Sequence, residues 1–162
     1  MQYIRINKVE AEPMTFGEFR TKFPTSGGAN QHRPDEDEGY VITYRKGYPN
    51  EYISWCPKAE FDEVSRPVDS MTFGHAIEAM KKGCKVARKG WNGKGMYIWI
   101  MPGSTVECQD IVDPHLKAIN DANGGVITFL GSIRMKTATG EVLTGWLASQ
   151  TDVLAEDWQI VE

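Results

Sequence analysis

The residues of this 162-residue chain that could do chemistry are concentrated in a basic stretch of its second half. Between Ala79 and Val106 there is no acidic residue, whereas five lysines and one arginine occur there. The chain as a whole has a net charge of −4, so this positive charge is local and would attract an anionic ligand. The dipole at the end of a preceding helix would account for Lys81 and Lys82 alone.

Aromatic side chains coincide with the basic stretch. Trp91 lies in a Gly-Trp-Asn-Gly turn at 90–93, and because the Asn-Gly pair already sets the backbone, we expect the Trp91 side chain to be exposed. Phe73 opens the preceding predicted helix, and Tyr97 and Trp99 alternate along the next predicted strand. Phe73 and Trp99 are equally consistent with core positions. Aromatic planes stack on nucleobases, and a planar guanidinium fits a phosphate.

A second candidate surface lies at 144–152, where small residues precede Trp146 and a predicted helix begins at Ser149. The free N–H groups of a helix N-terminus bind phosphates readily. Asp152 would repel a phosphate but could accept hydrogen bonds from ribose hydroxyls or an adenine amine. Together with the basic aromatic stretch, this pattern predicts a small nucleotide-like ligand rather than a long nucleic acid.

The motifs of the common enzyme classes are missing from the sequence, which has no nucleophile elbow, P-loop, zinc-protease motif or dinucleotide-binding fingerprint. Its three histidines are isolated and its three cysteines form no C-x-x-C pair, so we expect no metal site and no cofactor. Asp152 with Glu156 is the one hint of an acid–base pair, and charges on a short helix explain it more simply. A binding protein without catalytic residues is the prediction.

The second half of the chain supplies short elements that would position these residues. In chain order we predict a helix from Thr72 to Gly83, strands at 85–88 and 96–101, a helix opened by Asp113 and closed at 123–125, a hairpin of 126–136 with 142–146, a helix from Ser149, and a closing strand at 158–161.

The first half ends at a short polar segment, 65–70, whose Pro67 resists continuation of a helix. Before it we predict a strand at 3–9, a helix capped by Thr15 and Glu18, strands at 40–44 and 52–55, and a helix at 58–64. The stretch 24–39 has almost no apolar residues and predicts a mobile loop. The fold class predicted is α+β, with small, mainly antiparallel sheets and short helices in two small modules, 1–66 and 70–162.

Composition and the longest apolar run bound the environment of the chain. With 41% hydrophobic and 25% charged residues it has the composition of a globular protein, and no run reaches the ~20 apolar residues of a membrane span. The first residues lack the apolar core of a secretory signal, and the unpaired cysteines suit a reducing compartment. We therefore expect neither a membrane nor a secreted protein.

Three segments of the second half resemble the Thoeris anti-defence 2 family, over about residues 70–162. The matching segments read Met-Thr-Phe-Gly-His-Ala at 71–76, Gly-Trp-Asn-Gly-Lys-Gly-Met at 90–96, and Gly-Trp-Leu-Ala-Ser-Gln-Thr-Asp at 145–152 followed by Ala-Glu-Asp-Trp at 155–158. Residues 1–66 fall outside this resemblance. They resemble a small uncharacterised module of phage proteins.

The resemblance implies a phage protein that acts in the cytoplasm of the bacterial host. Proteins of this family bind and hold the cyclic ADP-ribose isomer that a bacterial TIR-domain enzyme makes as an immune signal, and they do not cleave it. They form homotetramers with ligand sites at subunit contacts, and some bind cyclic dinucleotides at separate sites. The resemblance therefore implies a sponge for a small cyclic nucleotide, without catalytic residues.

Side-chain chemistry and the resemblance together predict seven ligand-binding residues. The stacking planes are Phe73, Trp91 and Trp146, the phosphate contact is Arg88, and the hydrogen-bonding groups are Asn92, Ser149 and Asp152. Three alternatives stay open at this point. They are a sponge for cyclic dinucleotides, a nucleotide-degrading enzyme, and a structural or interaction module of the virion.

Overall fold

The chain divides into two compact units, residues 1–66 (unit 1) and 67–162 (unit 2). The computed structural model describes residues 7–26, 28–29, 31–91, 95–107 and 110–162. Both units combine short helices with antiparallel sheets, so the predicted α+β class is confirmed. The division between the units falls inside the polar segment 65–70.

Unit 1 is a three-stranded antiparallel sheet of order β1-β2-β3 with two helices. Its elements are β1 (Glu10–Thr15), α1 (Phe16–Lys22), β2 (Glu38–Tyr44), β3 (Tyr52–Pro57) and α2 (Lys58–Val64). Thr15 caps α1 through the predicted capping box, because its hydroxyl accepts from the Glu18 N–H and the Glu18 carboxylate accepts from the Thr15 N–H.

The core of unit 1 forms where α1 packs on the sheet. Phe16 and Phe19 are fully buried beside Trp55, whose indole N–H donates to the Met14 carbonyl at 2.8 Å. Ala29, in the stretch predicted to be a mobile loop, is also part of this core at 2% exposure. The described part of 24–37 contains no helix or strand, as predicted, but the last two residues of the predicted loop, 38–39, belong to β2. The buried Ala29 side chain anchors the loop.

The first predicted strand is wrong in position. Residues 7–9 are not in a strand, and 3–6 lie outside the described residues; the strand of this region is β1, from Glu10 to Thr15. The sequence does not predict β1, because its two glutamates and its proline are poor strand formers. Pro13 is tolerated there because β1 is an edge strand, where a missing N–H costs no ladder bond on the outer side.

Unit 2 contains a five-stranded antiparallel sheet of order β10-β4-β5-β8-β9 and a separate two-stranded sheet of β6 with β7. Its elements are α3 (Phe73–Lys81), β4 (Lys85–Arg88), β5 (Tyr97–Met101), β6 (Ser104–Glu107), α4 (Pro114–Ala122), β7 (Val126–Phe129), β8 (Ser132–Lys136), β9 (Val142–Thr144), α5 (Gln150–Val153) and β10 (Trp158–Val161). Four helix starts and ends of this unit match the predicted caps at Thr72, Asp113, Asn123 and Ser149.

Helix α3 covers one face of the five-stranded sheet and forms the core of unit 2 with it. Ala76 and Met80 of α3 meet Val86, Ile98 and Trp158, all at most 2% exposed. The segment before α3 adds a bridge to β10, since Met71 and Trp158 exchange both of their backbone hydrogen bonds at 2.8 and 3.1 Å. The closing strand is therefore bonded on both sides.

The predicted hairpin of 126–136 with 142–146 is partly wrong. Its first arm divides at 130–131, so that β7 pairs with β6 and only β8 pairs with β9. Gly131 marks the division, because a Cβ there would lie 3.3 Å from the Gly103 nitrogen, where the two chain segments cross closely. Strand β6 has no strong pattern of its own and was not predicted.

In the described part of the chain, no helix is both long enough and apolar enough to cross a membrane.

Candidate functional site

Two capped helix starts and one strand end position the candidate residues in unit 2. Thr72 caps α3 by accepting from the His75 N–H and thereby fixes Phe73 at the first helical position. Ser149 and Asp152 form a capping box at the start of α5, each side chain accepting from the other's backbone N–H. Arg88 ends β4, opposite Trp158 of β10.

Trp158 is fully buried and forms a cluster of four aromatic rings with Phe73, Trp91 and Trp146. The Trp158 ring centroid lies 5.3 Å from Phe73, 5.4 Å from Trp91 and 6.3 Å from Trp146. Trp91 and Trp146 also meet edge to face at 6.0 Å. Such edge contacts are the favoured geometry of aromatic pairs, so the cluster is a packed unit rather than a set of free planes.

The exposure predicted for Trp91 is wrong, because the structure places Trp91 half-buried against the core of unit 2. Its ring packs on Trp158, and its indole N–H donates to Asp152 Oδ1 at 3.2 Å. The Gly-Trp-Asn-Gly sequence carries no information on the direction of the Trp91 indole. A neighbouring aromatic surface decides that direction.

Arg88 is held between two carboxylates that follow in the chain more than sixty residues later. Its Nη1 lies 2.9 Å from Asp152 Oδ1 and its Nε 2.8 Å from Asp157 Oδ1, while Nη1 also donates to the Thr151 carbonyl at 3.1 Å. The side chains of Arg88, Asp152 and Asp157 are 18, 13 and 32% exposed, so the cluster is partly desolvated. We call these three residues with Trp91 the Arg88 cluster.

The charges of the Arg88 cluster stabilise one another's ionised forms. Hydrogen bonds from Arg88 hold the pKa of Asp157 below its ordinary value, with a further bond from the Gly90 N–H at 2.8 Å. Burial alone would raise the pKa of Asp152, but hydrogen bonds from Ser149, Arg88 and Trp91 outweigh it and lower that pKa. The same carboxylates, Asp157 first, raise the pKa of Arg88.

Asp152 is saturated as a hydrogen-bond acceptor. Its Oδ1 accepts from Arg88 and Trp91, and its Oδ2 accepts from the Ser149 N–H at 3.1 Å and from the Ser149 hydroxyl at 2.7 Å. A carboxylate has about four acceptor positions, all of which are used here. Asp152 therefore fixes Arg88, Trp91 and the start of α5 with respect to one another.

The structure brings six of the seven predicted site residues together, and the seventh, Asn92, lies outside the described residues. The six are Phe73, Arg88, Trp91, Trp146, Ser149 and Asp152. Sequence reasoning missed Trp158 and Asp157 as parts of the same group, since a closing strand was the only role predicted for that segment. The Asp-Trp pair at 157–158 lies within a segment that carried the family resemblance, which was the available signal.

Acidic side chains surround a different depression, in unit 1. It has a volume of about 430 Å³ and is lined by Asp37, Glu38, Lys58 and Asp62, with Pro57 and Ala59. The three carboxylates of this lining make it unsuited to phosphate. Among the described residues, no three histidines, cysteines or carboxylates are grouped so that they could hold a metal ion.

Comparison with known proteins gives two matches, both in unit 2. A family model described as the Thoeris anti-defense 2-like domain matches residues 71–161. The chain is also 41% identical over 91 residues to a protein of Bacillus phage SP01 named Thoeris anti-defense 2; the match covers 56% of this chain and 94% of the phage protein. The Arg88 cluster and the four aromatic rings lie within the matched segment. The chain belongs to the Thoeris anti-defence 2 family.

Proposed function

We propose that this protein is a phage anti-defence protein that binds and sequesters a cyclic ADP-ribose isomer, made as an immune signal by TIR-domain enzymes, without cleaving it. The observation that carries the proposal is the grouping of three half-buried aromatic rings, an arginine and a helix N-terminus inside the family-matched segment. These are the groups that recognise a base, a phosphate and a ribose.

In the proposed site, the aromatic rings bind the base. Trp146 follows Gly145, whose positive φ of 84° turns the chain just before the ring. Trp146 is half-buried and contacts Phe73 and Trp91, so one side of the group is packed against the core and the rest is available to a ligand. Phe73 and Trp91 support and extend this plane.

The phosphate contact proposed for Arg88 has to compete with the two carboxylates that already bind it. Asp157 is the more exposed of the two, at 32% against 13% for Asp152, so it is the one that a phosphate would displace. The Ser149 hydroxyl, which lies 2.8 Å from the Thr151 hydroxyl, is the polar group at α5 that can exchange partners when a ribose hydroxyl arrives. Asp152 acts mainly by holding Ser149 and Arg88 in place, and Asn92 completes the proposed set.

The proposed sponge works in the host bacterial cytoplasm as a homo-oligomer, a tetramer in the family's pattern. Apolar side chains near the site support association, since Leu143, Leu147, Val153 and Leu154 are 48, 87, 47 and 80% exposed. Large apolar side chains exposed to this degree are consistent with a contact between subunits. The proposed partners are therefore the small signal and further copies of this chain, with no membrane and no long nucleic acid.

The test of sequestration is recovery of the intact signal. The protein is incubated with the cyclic ADP-ribose isomer, freed of unbound ligand, and heat-denatured, and the released molecule is identified by mass spectrometry. We expect the unchanged isomer in a stoichiometric amount. Recovery of a hydrolysed product would contradict sequestration and favour an enzyme.

Cyclic dinucleotides are the second ligand class to test, since they offer the same base and phosphate chemistry. Native mass spectrometry against a panel of cyclic nucleotides separates the two. Asp152 is unsuited to act as a general acid in degradation, because its carboxylate already accepts from four donors and its pKa is lowered. A structural or interaction module of the virion needs no small ligand, so it would show as no binding of any cyclic nucleotide in the same panel.

A further inference from the structure

The five-stranded sheet has a second face, opposite α3, that the helices of unit 2 leave uncovered in the described part of the chain. Helix α3 packs on β4, β5 and β10 from the core side, α4 packs on β7, and α5 packs on α3. Strand pairing places Tyr97 opposite Lys136 and Trp99 opposite Arg134, on the side away from buried Ile98. We call this the open face, formed centrally by Lys85, Tyr97, Trp99, Arg134 and Lys136.

The open face is accessible to solvent, and its charged side chains are all positive. Its five central residues are partly exposed, and Met101 and Val142 at its rim are 39 and 55% exposed. Ala87 of β4, which the register also places on this face, is 5% exposed between larger side chains. No acidic residue occupies a position of the five strands that points to this side. Among the described residues, no carboxylate lies within ion-pair distance of its three basic side chains. In a chain of net charge −4, these are uncompensated cations.

Two cations of the open face hold its Tyr97 ring in place. The ammonium groups of Lys85 and Lys136 lie 5.3 and 5.9 Å from the Tyr97 ring centroid, and Lys136 also donates to the Gly95 carbonyl at 3.1 Å. Trp99 lies beside Tyr97 at 5.6 Å. The Nε of Arg134 is buried and has no hydrogen-bond partner among the described residues, which leaves a donor of this face unsatisfied.

We propose that the open face binds a short single strand of nucleic acid, with Trp99 stacking on a base and Lys85, Arg134 and Lys136 contacting phosphates. Aromatic rings two residues apart on a central strand, flanked by basic side chains, are a geometry by which sheets bind single strands. A second copy of this chain fits less well, because a symmetric contact would bring the three cations towards their own copies without an acidic residue between them. This site is separate from the aromatic cluster on the core side and does not depend on the function proposed there.

The experiment is a fluorescence anisotropy titration of the full chain with labelled single strands of about eight nucleotides, within the range that one small domain covers. We expect binding that weakens with salt with a log–log slope of about −2, since three neutralised phosphates contribute about −0.7 each. A duplex of the same sequence should bind more weakly. Absence of salt-dependent binding, equal binding of the duplex, or displacement of the strand by a cyclic dinucleotide would overturn the proposal.

Variants of the open face separate stacking from charge. Trp99→Ala should weaken binding about tenfold to 150-fold, and Trp99→Phe, which keeps a ring, should restore most of it. Replacing Lys85 and Lys136 by Gln should reduce the slope to about −0.7. Lys81→Gln is the matched control, because it removes a charge on α3 that is paired with Glu78. It should change neither the affinity for the strand nor the salt slope. If Trp99→Ala instead alters the mass measured by light scattering and the strand never binds, the face is a subunit contact and the proposal is wrong.

Discussion

At the scale of single residues, Arg88 has two tasks that compete. The guanidinium fastens β4 to α5 and β10 through Asp152 and Asp157, and the same guanidinium is the proposed phosphate contact. Removing one partner of a partly buried ion pair leaves the other charge without compensation, which is more costly than the pair's own net contribution. Arg88 therefore has a structural role that any test of binding must separate from recognition.

Trp91→Ala tests whether this indole contributes to the stability of the core, to ligand binding, or to both. Because Trp91 packs on Trp158 and donates to Asp152, we expect the substitution to lower the free energy of unfolding by about 3 kcal/mol, as for other large-to-small changes in a core. Affinity for the signal should also fall, by about tenfold to 150-fold if the ring stacks on the base. Melting temperature and isothermal titration on the same variant measure the two effects.

The control for Trp91 is Trp91→Phe, which keeps an aromatic ring but loses the indole N–H. It should retain most of the affinity if stacking is the contribution of this residue. Unchanged affinity in Trp91→Ala, measured at a temperature where the variant is folded, would remove Trp91 from the site and leave it in the core alone.

The Arg88 cluster predicts acid sensitivity of unit 2. The pKa values of Asp152 and Asp157 are lower in the folded protein than their ordinary value of 3.8, so the folded state binds fewer protons than the unfolded state at acid pH. The stability from these groups is fully present above about pH 4 and is lost as the pH falls through the folded pKa values. In Arg88→Met, the loss of stability between neutral and acid pH should be smaller than in the wild type.

Thermal unfolding followed from pH 7 down to acid pH measures this difference. Arg20→Met is the control, because its ion pair with Asp35 lies in unit 1 between largely exposed side chains and contributes little. Parallel curves for wild type and Arg88→Met would contradict the assignment of acid sensitivity to the Arg88 cluster.

At the scale of elements, local signals predicted helices well and strand partners poorly. The caps at Thr15, Thr72, Asp113 and Ser149 lie at the observed helix starts, because a cap is a contact between residues two or three apart. Strand β1 and the division between β7 and β8 were missed, because pairing is decided by contacts between distant segments. A local pattern does not contain that information.

The same limit applies to the candidate site. Residue type alone selected the aromatic, basic and capping residues that the structure brings together. The burial of Trp91, the pairing of Arg88 with Asp157 and the central position of Trp158 depend on contacts across more than sixty residues of chain, so no local pattern predicted them.

Gly39 in β2 shows how closely the elements of unit 1 approach one another. A Cβ at this position would lie 2.3 Å from Cζ2 of Trp55 and 2.4 Å from the Cys56 carbonyl oxygen, and backbone cannot move away cheaply. We expect Gly39→Ala to destabilise unit 1 by about 1–3 kcal/mol or more, as overpacking does. Gly74→Ala in α3 is the matched control, since a Cβ there would lie 3.7 Å from Thr72 Oγ1, an ordinary contact, and alanine favours the helix.

Chemical denaturation followed by far-ultraviolet circular dichroism and tryptophan fluorescence measures both glycine variants. Trp55 is the tryptophan that Gly39→Ala should affect, while Gly74→Ala should leave the transition unchanged or shift it to higher denaturant. A Gly39→Ala variant as stable as wild type would show that the Trp55 ring can move off the strand.

At the scale of the whole molecule, the division of the chain coincides with the limits of the family match. The match covers 91 residues of unit 2 and 94% of the Bacillus phage SP01 protein, so that protein consists almost entirely of the counterpart of unit 2. Unit 1 has its own sheet and its own core of Phe16, Phe19, Val41 and Trp55. Each unit thus has the buried apolar core that independent folding requires.

The last prediction follows from this division. A chain of residues 67–162 should fold, because its core is complete within the unit and a phage protein of nearly the same extent exists. It should bind the cyclic signal with an affinity within about threefold of the full chain, since the described site residues all lie in unit 2. Titration calorimetry on both chains, with circular dichroism to confirm folding, measures this. If the shorter chain folds but loses the signal, unit 1 contributes to the site. If it folds only as a mixture of oligomers smaller than those of the full chain, unit 1 contributes to assembly, and the bound state gains stability from it by mass action.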